Sequence, residues 1–251
     1  MHEQAPYLRF AEELRKRIED QEWMPGERLP SRAQLAEECG VTDGVVRRAQ
    51  ERLIEEGVLT GRAGSGTYVA EPRERVRVVR SPERERTSGS AFEADMAALG
   101  KRATWESRSD AMVPAPADIA ARLGIPEGDY CVRTTYEYLA DDKPVQLSTS
   151  WEPYSITAGS LVVMPEAGPL AGEGVVRRMA EVGIKVTRAA ERPEPGHADA
   201  EEANLLGIQK GALVTRIQRT YYSDDGRAVE TADIVVPTAL CEIVYDVSFG
   251  S

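Results

Sequence analysis

The chain has 251 residues, 41% apolar and 29% charged, with a formal net charge of −11. Its length exceeds a usual domain of roughly 100–200 residues, so two domains are expected. Nothing approaches the roughly 20 apolar residues of a spanning helix. The Met1–Pro6 start lacks the basic and apolar parts of a signal peptide, so no membrane partner and a cytoplasmic location are expected. Cys39, Cys131 and Cys241 form no CxxC pair, and His2 and His197 are the only histidines, which argues against a disulfide framework or metal site. No cofactor is expected.

The charge is uneven. Residues 1–70 hold 10 Lys/Arg against 13 Asp/Glu, and residues 87–251 hold 15 against 25. A near-neutral N-terminal part can read DNA if its arginines share one face.

Tyr7, Phe10, Ala11, Leu14 and Ile18 recur at helical spacing and predict a first helix. Ser31 followed by Gln34 is a capping box that opens a short second helix, which Gly40 closes. Thr42 can cap a third helix, with Val46, Ala49, Gln50 and Leu53 inside and Gly44, Arg47, Arg48 and Glu51 outside. The stretch from Val58 to Ala70, with Ala63-Gly64-Ser65-Gly66 at its tip, predicts a β-hairpin. Helix, helix, helix and hairpin make a winged helix-turn-helix over residues 1–70.

Residues 71–87 are polar, with Pro72, Pro82 and an Arg/Glu run, and predict a linker. Residues 88–251 contain a repeat. Residues 120–142 align with 203–225, with nine of 23 positions identical, and after a one-residue insertion Val145 matches Val229 and Pro153 matches Pro237. Each copy reads as a short helix, a glycine turn, a strand, an Asp-Asp turn and a second strand. Duplicated units of this kind predict an α+β domain with an antiparallel sheet.

The segments Pro25-Gly26-Glu27-Arg28-Leu29-Pro30-Ser31, Gly40-Val41-Thr42, Val46-Arg47-Arg48-Ala49 and Gly64-Ser65-Gly66-Thr67-Tyr68-Val69 resemble the DNA-binding domain of GntR-type bacterial repressors. Leu123-Gly124-Ile125, Lys143-Pro144-Val145, Leu206-Gly207-Ile208, Arg219-Thr220-Tyr221 and Val229-Glu230 are similar to the UTRA effector domain. That domain defines the HutC subfamily and is related in fold to chorismate lyase. The resemblance implies a homodimeric regulator, most simply a repressor, with a double-stranded DNA operator and a small-molecule effector as partners.

On this reading the third helix lies in the major groove, with Arg47 and Arg48 near base edges. Ser31, Arg32 and Thr42 stand at helix starts, where phosphate is favoured. Arg62, Gly66 and Thr67 belong to the wing. Two habitual DNA arginines of the family are missing, since Arg32-Ala33 and Thr42-Asp43-Gly44 stand at their positions. The bland alternative is a solvated face in which Arg47 and Arg48 pair with Glu51 and Glu55.

The family's best-known effector pattern has two arginines spaced two apart on a strand. Here Tyr136 and Tyr138 occupy those positions. A bidentate phosphate clamp needs guanidinium, so a sugar phosphate is not expected. Two tyrosines suit a neutral, aromatic or polyol-like ligand. Ser148 and Ser150 share a strand face, and Glu230 and Arg219 complete the implied site. The alternative is a structural Arg219–Glu230 ion pair with the tyrosines packing the sheet.

No GxSxG, HExxH or GxxxxGK[ST] motif occurs, and His197 reads as a surface residue in a loop, so no catalytic residue is expected. A metabolite-processing enzyme with a DNA-binding appendage and a nucleoid-type DNA protein are the other readings.

Overall fold

The computed structural model describes residues 5–62, 64–71, 75–81 and 90–247. The chain forms two compact units, Met1–Glu74 and Arg75–Ser251.

In the first unit, helix α1 spans Pro6–Glu19, α2 Arg32–Cys39 and α3 Asp43–Glu55. Strands β1 (Leu59–Arg62) and β2 (Gly66–Val69) pair antiparallel as the wing, from Leu59 opposite Val69 to Arg62 opposite Gly66. Residues 26–29 add an edge to β2, with the Leu29 amide donating to the Thr67 carbonyl at 2.9 Å and the Val69 amide to the Glu27 carbonyl at 2.8 Å. Phe10, Ala11 and Leu14 of α1, Leu35 of α2, and Val46, Ala49 and Leu53 of α3 form one core with Leu59 and Val69. These are the apolar positions that helical periodicity selects.

The Ser31 capping box is present. The Ser31 hydroxyl accepts from the Gln34 amide, and the Gln34 side chain accepts from the Ser31 amide at 2.9 Å. Gly40 closes α2 at φ +64°, in the left-handed region where only glycine is unstrained. Thr42 stands at the N-cap of α3, but its hydroxyl makes no capping bond. The Val45 amide bonds instead to the Thr42 carbonyl at 3.0 Å.

The second unit is built on a six-stranded antiparallel sheet with strands β4 (Ala103–Pro114), β5 (Tyr130–Ala140), β6 (Lys143–Pro153), β7 (Val186–His197), β8 (Leu213–Ser223) and β9 (Ala228–Pro237). Its order is β4-β5-β6-β9-β8-β7. Helices α5 (Ala117–Leu123) and α8 (Ala200–Leu205) cover one face, against Trp151 and Cys131 and against Val214 and Val235. Helices α4 (Ala91–Ala98) and α7 (Val175–Glu181) lie on the other, where Phe92, Met96 and Met179 are buried against Ile217, Ile234 and Tyr221. The short α6 (Tyr154–Thr157) follows β6.

The duplication is larger than sequence identity reveals. Strands β4 and β7 also stand 83 residues apart, and α4 and α7 hold matching places before them. Each copy is therefore a helix-strand-helix-strand-strand unit. At the sheet centre Thr149 pairs with Asp233, its own repeat mate, so a pseudo-twofold axis passes between β6 and β9.

One expectation is corrected. Within the predicted 71–87 linker, Val76–Arg80 form strand β3, paired parallel with β10 (Cys241–Tyr245). Val76 and Val78 alternate with exposed Arg77 and are buried in the core. The Arg/Glu composition hides this period of two. Residues 72–74 and 82–87 of that predicted linker lie outside the described residues. His197 ends β7 rather than lying in a loop; it is exposed, as expected, with Nδ1 3.0 Å from the Gly211 carbonyl.

Candidate DNA interface and effector cavity

α3 buries Val46, Ala49, Gln50 and Leu53, and a 3.6-residue period turns Arg47 and Arg48 outward. Ser31, Arg32, Thr42, Arg47, Arg48, Arg62 and Gly66 are all exposed, and Thr67 is half-buried. Arg47 donates to Glu51 at 2.9 Å. An exposed pair of this kind contributes only about 0.3–0.5 kcal/mol, so the guanidinium is readily exchanged onto another acceptor. Arg48 has no hydrogen bond or ion pair among the described residues.

In the wing, Arg62 lies over the Tyr68 ring at 4.2 Å, and the Thr67 hydroxyl donates to Gln50 at 3.4 Å, tying wing to helix. Gly66 has φ +118°, and a Cβ there would stand 2.8 Å from Arg28 Nε. Glycine is thus required first by the backbone, since the flexible end of Arg28 could swing away from a Cβ but the positive φ would remain.

In the second unit, all six effector candidates line one cavity of about 100 Å3. The strand period places them together. Tyr136 and Tyr138 share a face of β5, and their rings stack 5.5 Å apart with a 13° interplanar angle. Tyr136 lies opposite Ser148, and Tyr138 opposite Gln146, on β6. From the other copy, Tyr221 lies opposite Glu230. The registers shift just after Tyr138 and just after Tyr221, at matching places in the repeat. The extra residues are Val145 and Val229, both buried. Bulges re-aim strand residues, and here they set Gln146 and Glu230 on the cavity face.

Arg219 donates to Glu230 at 3.3 Å and lies over the Tyr221 ring at 4.5 Å. The ion pair of the alternative reading is present, and both of its members also line the cavity. Burial pushes the Tyr138 hydroxyl up to about 12, with Arg219 opposing and Glu166 and Glu230 reinforcing the rise. Burial, then Tyr138, Glu166 and Glu152, push Tyr136 well above its ordinary value. Both rings stay neutral near pH 7 and offer hydroxyls as donors or acceptors.

Several wall residues escaped sequence reasoning. Arg178 of α7 makes a bidentate pair with Glu152 of β6, both bonds 2.7 Å, and also donates to the Val162 carbonyl at 3.0 Å. Trp105 Nε1 donates to Glu166 at 3.2 Å. Phe92 and Arg80 complete the wall, Arg80 reaching Glu191 at 3.4 Å. No local spacing relates these residues; the fold alone assembles them.

A winged helix-turn-helix joined to a duplicated α+β unit with an internal cavity is the architecture of a one-component transcription regulator. Residues 6–69 match the model of bacterial regulatory proteins of the gntR family, and residues 98–239 match that of the UTRA domain. The chain belongs to the GntR family of bacterial regulators, among the members that carry a UTRA domain. It is 31% identical over 238 residues to the HTH-type transcriptional repressor NagR of Bacillus subtilis (strain 168), covering 94% of this chain and 93% of that one. It is 24% identical to the histidine utilization repressor of Pseudomonas putida, covering 90% and 85%. A solved structure described as a GntR-family transcriptional regulator is 40% identical, with TM-score 0.79 and coverage of 98% and 99%. The protein is a ligand-responsive DNA-binding regulator, not an enzyme. No helix among the described residues is long and apolar enough to cross a membrane.

Proposed function

We propose that the protein acts as a cytoplasmic homodimeric repressor. Each protomer sets α3 into one half of a pseudo-palindromic operator. Arg47 and Arg48 read base edges. Ser31, Arg32, Thr42, Arg62, Gly66 and Thr67 hold the phosphate backbone and the groove beside the wing. A small molecule other than a hexose phosphate occupies the sheet cavity, held by Tyr136, Tyr138, Ser148, Ser150, Arg219 and Glu230, and favours the state that releases DNA. To swing occupancy from 1:99 to 99:1 the ligand must prefer that state by about 5.5 kcal/mol.

The observation that carries this reading is the convergence of residues from both repeat copies on one cavity. The relatives named as repressors support the direction of the response. Footprinting on the DNA upstream of the gene, with and without fractionated metabolite pools, tests it. Protection of a two-fold site that one fraction abolishes is expected. Equal protection of all sequences, falling steeply with salt, would point to indiscriminate binding instead. Arg47→Ala should lose about 1–3 kcal/mol at one base position. Uniform loss on every sequence would make Arg47 a phosphate contact.

A further inference from the structure

The charges in the cavity wall are unevenly matched. Arg178 is held by Glu152, Arg219 by Glu230 and Arg80 by Glu191. Glu166 has no cationic side chain within ion-pair distance among the described residues. Its Oε2 accepts from Trp105 Nε1 and from the Gly172 amide at 3.1 Å, while Oε1 bonds to nothing among them. Outside the inner cavity lies a second one of about 390 Å3, lined by Glu93, Trp105, Glu166, Ala171, Gly172 and Glu173. Its wall holds three carboxylates, an indole and no basic side chain. An anion entering this way would cross a field of its own sign.

Aromatic rings stand at the same place. Tyr138 lies 5.0 Å from Phe92, 6.5 Å from Trp105 and 5.5 Å from Tyr136, centroid to centroid. Ring faces attract ammonium groups, most strongly where water is excluded. A separate observation concerns Gln146. It lines the inner cavity, is 7% exposed, and its side-chain oxygen has no hydrogen-bond partner among the described residues. A buried acceptor of this kind calls for a donor from whatever fills the cavity.

We infer that the cavity takes a small protonated organic amine, its ammonium facing Glu166 and the Trp105–Tyr138 rings, with a donor to the orphaned Gln146 oxygen. This rests on the reading of the cavity as the effector site and replaces the neutral ligand expected from the sequence with a cationic one. A metal ion is a poor fit, because no three carboxylate, histidine or cysteine side chains among the described residues are grouped to hold one. A quaternary ammonium would leave Gln146 unmatched. A phosphate would compete with Glu152, Glu230 and Glu191 for the arginines of the wall.

The test is calorimetry on the full-length protein with benzylamine and cyclohexylamine, against benzyl alcohol, cyclohexanol and glucose 6-phosphate. The amines should bind about tenfold or more tighter than the isosteric alcohols. Glu166→Gln should remove that preference while leaving alcohol binding within about twofold, and Gln146→Leu should weaken the amines. Circular dichroism checks that both variants fold, and Glu173→Gln provides a second charge removal at the cavity mouth. Alcohols binding as tightly as amines, amine affinity indifferent to Glu166→Gln, or no amine binding each overturn the inference. If an alcohol or the sugar phosphate binds and Tyr136→Ala abolishes it, the amine fails but the effector site stands. If no probe binds, and Tyr136→Ala leaves the metabolite response of DNA binding intact, both fail.

Discussion

Arg178 and Glu152 are 2% and 1% exposed, and the two parallel bonds between them hold α7 against the sheet at the cavity wall. Such a pair adds little net stability over apolar residues, because desolvation offsets attraction, but removing one member strands the other. Arg178→Met should destabilise the protein by about 3–5 kcal/mol, and pairing it with Glu152→Leu should restore most of that, measured by urea unfolding. Equal destabilisation by single and double variants would show that packing, not charge, dominates. Thr42 illustrates the opposite situation. Its hydroxyl is exposed and unused at a helix start. The position favours an anion through the free amides of the first turn, and an external phosphate can take up both.

At the scale of elements, the repeated unit preserves geometry where it no longer preserves identity. Gly124 and Gly207 close α5 and follow α8 at φ +66° and +62°, each with open space where a Cβ would stand. Alanine at either position meets no clash, so the cost is conformational alone, roughly 1–2 kcal/mol. Gly124→Ala and Gly207→Ala should lower stability by similar amounts in chemical denaturation. A large difference would mean that the two copies carry unequal shares of the fold. The bulges at Val145 and Val229 show the same economy. Without them the period of two would turn the following cavity residues to the face covered by α5 and α8. Divergence reaches the cavity, with Tyr136 matched by Arg219 and Gln146 by Glu230.

For the whole molecule, the parallel β3–β10 ribbon joins the two ends of the C-terminal unit. Val76 and Val78 are fully buried by it, and each such side chain contributes about 1.5–3 kcal/mol. A fragment of residues 75–251 should therefore be about 3–6 kcal/mol more stable than one of residues 88–251. The shorter fragment also bares a β10 edge prone to aggregation. Ultracentrifugation of the 75–251 fragment should find a dimer, and a monomer would move dimerisation to the DNA-binding unit. β3 also carries Arg80 into the cavity wall. The strand that opens the C-terminal unit thus takes part in the pocket.

The winged helix-turn-helix was legible in the residues because its determinants are local. Helical periodicity, the Ser31 box and the Gly40 cap act within one or two turns, where neighbours in sequence are neighbours in space. The six cavity candidates came from the resemblance to the UTRA effector pattern, and the period of two explains only why neighbours such as Tyr136 and Tyr138 share a face. Identity also betrayed half of each repeat. The parallel pairing of β3 with β10 was not legible, since parallel partners leave no turn between them and the Arg/Glu run masked the valines. Nor were the Arg178–Glu152 pair, the Glu166–Trp105 contact or the unmatched Gln146 oxygen. Each depends on groups from separate elements meeting in a low-dielectric interior, and only the folded chain brings them together.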